Sequence, residues 1–133
     1  MMTIAAPVTA LTLIGLLPIY IGLAFRVIKK RREFKVPVGT GNQSQLETAI
    51  RAHGNFSEYV PFFLLLLLTA EINQAPIWLL ALCALMMITG RLIHAVAIPA
   101  GDIPKRITGM QLTFAAMITV AITNLVPLVL GLF

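Results

Sequence analysis

The chain has 133 residues, room for one domain, and is 59% hydrophobic and 11% charged, against roughly 45–50% and about 25% for an ordinary soluble domain. A soluble protein of this size has no interior large enough to hide so much apolar surface, so the lipid bilayer is the expected solvent. The net charge of +5 does not point to nucleic acid: six of the ten basic residues (Arg26, Lys29, Lys30, Arg31, Arg32, Lys35) follow one apolar run directly, where such a cluster orients a span or meets anionic headgroups.

The expected architecture is an all-α integral membrane protein, a bundle of four transmembrane helices spanning residues 4–32, 44–70, 76–97 and 106–132 in one domain. The first apolar run, Ile4 to Phe25, is long enough to cross a bilayer and reads as a retained span rather than a signal peptide. The basic segment and a loop marked by Pro37, Gly39 and Gly41 come next. The second apolar run, Tyr59 to Ala70, is too short to cross alone. Its helix must begin near Ser44 and carry Glu47, Arg51, His53, Asn55 and Glu58 toward the membrane, with Pro61 expected to bend it. A tight connection at Glu71 to Ala75 leads to the third span, which contains Arg91 and His94. A loop from Ile98 to Lys105, holding Pro99, Gly101, Asp102 and Pro104, precedes the fourth. Loops one and three carry the basic residues and loop two has none, so the positive-inside rule places both termini outside. The single cysteine, Cys83, cannot form an intrachain disulfide, and no metal is expected.

Ionisable groups inside spans cost a few kcal/mol each and are functional hypotheses by default. Arg51, Asn55, Glu58 and Tyr59 stand at i, i+4, i+7 and i+8, one face of a helix, and Ser44 and Glu47 extend the stripe. His53 points away from it, toward an interface or headgroup contact. Glu58 and Arg91 fall at similar depth on antiparallel helices and are placed to pair. His94 lies one turn nearer the cytosol on the face of Arg91, as a brace or a ligand. The result is a polar pocket opening toward the cytosol, with Arg106 near its mouth. Arginine forks hold carboxylates, Asn55 donates and accepts, and Glu58 suits an ammonium. A small zwitterion with several carboxylates fits that inventory.

The stretch from Arg51 to Pro61, RAHGNFSEYVP, resembles the second-helix signature of the MAPEG family, the membrane-associated proteins of eicosanoid and glutathione metabolism. Supporting matches are the basic run ending the first helix, Gly90-Arg91 with His94-Ala95 in the third, and Arg106 with Gly109 opening the fourth. The resemblance covers nearly the whole chain. It implies a homotrimer with glutathione held between subunits near the cytosolic face, and a membrane-bound glutathione transferase or peroxidase acting on a lipophilic substrate. Carried over by position, Arg31, Arg51, Asn55, Glu58, Tyr59, Arg91 and His94 would hold or brace glutathione. Arg106, allowing a one-residue gap, would stabilise its thiolate. The chain departs from several members at Ile98, where they have a tyrosine. A small four-helix transporter and a non-catalytic scaffold of the same fold are the competing readings. Such exporters place their acid in the first helix, which here has no charge before Arg26.

Overall fold

The computed structural model describes residues 4–131 and contains four helices, with no strand among the described residues. They are α1 (Pro7–Phe34), α2 (Ser44–Ile72), α3 (Ile77–Ala100) and α4 (Ile103–Leu130). All four are long and apolar enough to cross a membrane. At 1.5 Å per residue the 29 residues of α2 reach about 43 Å, well beyond the roughly 30 Å hydrocarbon layer. The surplus lets the polar first half of α2 stand partly in the headgroup region. Leu132, the expected end of the last span, lies outside the described residues.

Local chemistry explains the ends. Pro7 opens α1 at a position where a missing N–H is harmless, but Ala6 has no side chain with which to cap it. The cap comes from the far end of α2 instead. Glu71 Oε1 accepts from the Val8 N–H at 2.7 Å, and Oε2 accepts from the Thr9 N–H at 2.8 Å and its hydroxyl at 2.7 Å. This carboxylate satisfies donors the first turn cannot satisfy itself and sits at the positive pole of the helix dipole. Glu71 is therefore helical, and the second connection is shorter than expected, residues 73–76.

The third connection differs more. Only Gly101 and Asp102 separate α3 from α4, not the eight residues expected from the prolines. Pro99 falls in the last turn of α3, where it removes only the bond to the Ala95 carbonyl, and Pro104 in the first turn of α4, where a missing N–H costs none. Gly101 turns the chain at φ 68°, and Asp102 caps α4 by accepting from the Lys105 N–H at 3.0 Å. Lys105 also pairs with Asp102 at 2.8 Å, and these contacts hold the Asp102 carboxyl below its ordinary range. Arg106 is consequently helical, one turn inside α4.

α3 packs most extensively against α4, while the backbones of α1 and α4 do not approach each other closely among the described residues. A Cβ on Gly90 would lie 2.8 Å from the Gly109 carbonyl oxygen, and one on Gly109 would lie 2.8 Å from that of Gly90. Only glycine at both places allows the two backbones to approach so closely. The shared apolar core runs through Leu16 and Leu23 of α1, Phe56, Phe63 and Leu67 of α2, Leu80, Cys83 and Met87 of α3, and Ala116 and Val120 of α4. His53 turns toward α1. Its ring packs on Tyr20, with centroids 5.0 Å apart, and its Nε2 is buried without a partner among the described residues.

Candidate functional site

Two layers meet where α2 faces α3 and α4 at the basic end of the bundle. The inner layer centres on Arg91, only 1% exposed. Its Nε and Nη2 donate to Thr113 Oγ1 at 3.1 and 2.7 Å, and its Nη1 donates to Asn55 Oδ1 at 2.6 Å. Nη2 also contacts Met110 Sδ at 3.3 Å, and the guanidinium lies 5.7 Å from the centre of the Tyr59 ring. Tyr59 in turn meets Phe114 edge-on at 5.4 Å. The Thr113 hydroxyl in turn donates to the Gly109 carbonyl at 2.8 Å. The close approach at Gly90 and Gly109 is what brings Thr113 within reach of Arg91.

The expected Glu58–Arg91 pair does not form. The buried positions of α2 (Ala52, Phe56, Val60, Phe63, Leu67) define its inward face. At about 100° per residue, Glu58 lies some 200° from Phe56 and from Val60, on the opposite side. Equal depth is not equal azimuth. The polar stripe is real but faces sideways: Tyr59 forms its inner edge, Asn55 its middle, and Arg51 and Glu58 its outer edge.

The outer layer is a cavity of about 710 Å³ whose lining includes Ser44, Glu47, Arg51, Asn55, Glu58, Ile98 and Arg106, a volume typical of small-molecule sites. Of the eight residues singled out in the sequence it unites Arg51, Asn55, Glu58 and Arg106. Arg91 and Tyr59 sit behind it, joined to it through Asn55. His94 is buried next to Gly109, its Cβ against the space a Gly109 side chain would need, and its Nε2 has no partner among the described residues. Arg31 is elsewhere: its Nη1 donates to the Val36, Pro37 and Gly39 carbonyls and ties down the first loop.

The electrostatics are those of a site with spare capacity. Arg51 is 77% exposed and meets only Glu47, at 3.9 Å, a separation and exposure at which a pair contributes little. Glu58 has no cationic partner within 4 Å among the described residues. Arg91 can be served only by the oxygen of Asn55, so the Asn55 amide nitrogen is left as a donor at the cavity wall. The cavity therefore offers two guanidinium groups, one amide donor and two carboxylates, Glu47 at 3.9 Å from Arg51 and Glu58 without a cation.

The sequence model of the MAPEG family matches residues 9–126. The chain belongs to the MAPEG family. Two relatives, both called inner membrane protein YecN, from Escherichia coli K12 and Escherichia coli O6:H1, are each 34% identical to it over 102 residues, or 77% of this chain and 78% of theirs. With its four spans, this MAPEG chain is a multi-pass protein of a bacterial inner membrane. Sequence reasoning missed Thr113 and Met110 as the partners of Arg91. A signal was present: Gly109, Thr113, Ala116 and Val120, the buried residues of α4, recur at helical spacing and mark the face turned toward α3.

Proposed function

We propose that this MAPEG chain is a membrane-bound glutathione-dependent transferase or peroxidase, with the site in the cavity between α2 and α4. The observation that carries the reading is the convergence of Arg51, Asn55, Glu58 and Arg106 on one cavity with much of their binding capacity unspent. The donor set fits a tripeptide with two carboxylates and one ammonium: Arg51 and the Asn55 amide face carboxylates, and Glu58 faces the ammonium. Bound there, glutathione supplies the sulfur nucleophile, so the chain needs no reactive cysteine of its own. Arg106 acts on the proton equilibrium. A thiol with an ordinary pKa of about 8.5 is mostly protonated at neutral pH, and a cation beside it favours the thiolate. Arg91 touches no ligand in this scheme; it positions Asn55.

The reading includes a homotrimer whose second copy closes the cavity. Glu58, at the midpoint of α2, is exposed with no cation beside it, and a carboxylate at that depth is costly against lipid. A neighbouring copy that covers the stripe removes the cost.

Calorimetry of glutathione against the detergent-purified protein tests the site. A Kd of about 1 mM or tighter, lost in the Arg51→Ala/Glu58→Ala variant, is expected. Absence of binding by folded protein overturns the reading. Turnover with an electrophile such as 1-chloro-2,4-dinitrobenzene separates the enzyme from a scaffold that binds without chemistry.

A further inference from the structure

A second cavity, of about 240 Å³, opens at the basic end between α1, α2 and the end of α3, and its lining includes Arg26, Lys30, Gln45, Thr48 and Pro99. Its origin lies in one missing proton. Pro99 has no N–H, so the Ala95 carbonyl four residues earlier lacks its helical donor. Arg26 of α1 fills the vacancy, its Nη1 donating to Ala95 O at 3.0 Å. That bond fixes the guanidinium at the cavity with four of its five N–H groups uncommitted. One turn further along α1, Lys30 Nζ donates to Gln45 Oε1 at 2.7 Å and to Glu33 Oε2 at 2.9 Å, leaving its third proton and the Gln45 amide nitrogen available. Glu33 is the carboxylate paired with Lys30. It offsets only part of the local charge, because residues 26–35 hold six basic side chains and one acidic one.

Depth argues for the kind of anion. Arg26 is the first charged residue after the long apolar stretch of α1, so the cavity lies where hydrocarbon gives way to headgroups. We propose that this cavity binds the phosphate of an anionic phospholipid headgroup, held by Arg26 and Lys30. The cavity then does more than the diffuse attraction of a polybasic segment to a negative surface: it seats one lipid at a defined place, with its acyl chains along the apolar faces of the bundle. The site is separate from the one proposed for glutathione and does not depend on it.

Native mass spectrometry of the full chain, released from neutral detergent after addition of dioleoyl phosphatidylglycerol, dioleoyl phosphatidylcholine or inorganic phosphate, tests the assignment. One phosphatidylglycerol retained in preference to phosphatidylcholine is expected. Lys30→Gln and Arg26→Gln should each weaken retention roughly five-fold, the contribution of one basic side chain at an anionic surface. Arg32→Gln removes the same charge from the opposite side of α1 and should change it less than two-fold. Arg26→Gln also exposes the Ala95 carbonyl, so if it does not fold, Lys30→Gln decides. Equal losses in Lys30→Gln and Arg32→Gln, equal retention of both lipids, or inorganic phosphate binding as tightly as the lipid would each overturn the proposal.

Discussion

The α3–α4 seam and the α1–α2 seam solve the same problem by different means. Along α3 and α4 the backbones themselves meet, at Gly90 and Gly109, and two residues link the helices. Along α1 and α2 the contacts run through side chains: the Glu71 carboxylate at one end, the Tyr20–His53 stack midway and Lys30–Gln45 at the other. The residues joining α1 to α2 number nine, 35–43. The first seam is set by shape and tolerates little change. The second is set by hydrogen bonds at the tips of long side chains, and both cavities open along α2. A rigid pair with an adaptable pair beside it suits the proposed function, in which Arg91 is held still while ligands enter.

The comparison breaks most sharply at Gly90. Gly90→Ala places a methyl group against backbone, and the overpacking should cost about 3 kcal/mol, read as a lower midpoint in SDS titration of mixed micelles; a midpoint within error of the parent would mean that the seam is not set by backbone contact. Glu71→Ala removes the acceptor for three donors at the start of α1 and should cost about 2 kcal/mol. Hydrogen exchange should rise at Val8 and Thr9 and stay unchanged along α3. Gly101→Ala forces a side chain into the left-handed region and should cost roughly 1 kcal/mol, measured by the same titration. The smallest effect concerns pH. The carboxyl of Asp102 is held below its ordinary value, so its contribution is present above about pH 4 and is lost as pH falls through the depressed value. Asp102→Asn keeps a capping side chain and should flatten the acid limb of the thermal stability profile while leaving neutral pH nearly unchanged.

Much of the arrangement was legible because lipid simplifies the grammar. Apolar runs gave four spans, and the shortness of the Tyr59–Ala70 run forced α2 to begin near Ser44, where it does begin. The stripe spacing brought Arg51, Asn55 and Glu58 to one cavity. Partnerships between helices were not legible. Depth can be counted along each chain segment, but rotation about the helix axis depends on packing, so depth alone pairs Arg91 with Glu58 whereas packing gives it to Asn55 and Thr113. Prolines misled at the third connection, since Pro99 and Pro104 read as loop residues and are both helical. Arg31 comes from the family resemblance by position, and its engagement with three loop carbonyls could not be read from the sequence.

The Glu71 cap also has a bearing on the order of events during synthesis. The donors of Val8 and Thr9 find their acceptor 63 and 62 residues later in the chain. At roughly 5–20 residues per second the ribosome needs about 3 to 13 s to reach it. Until then water at the interface must serve those N–H groups, so the cap that finishes the first helix is supplied only once the second has been made.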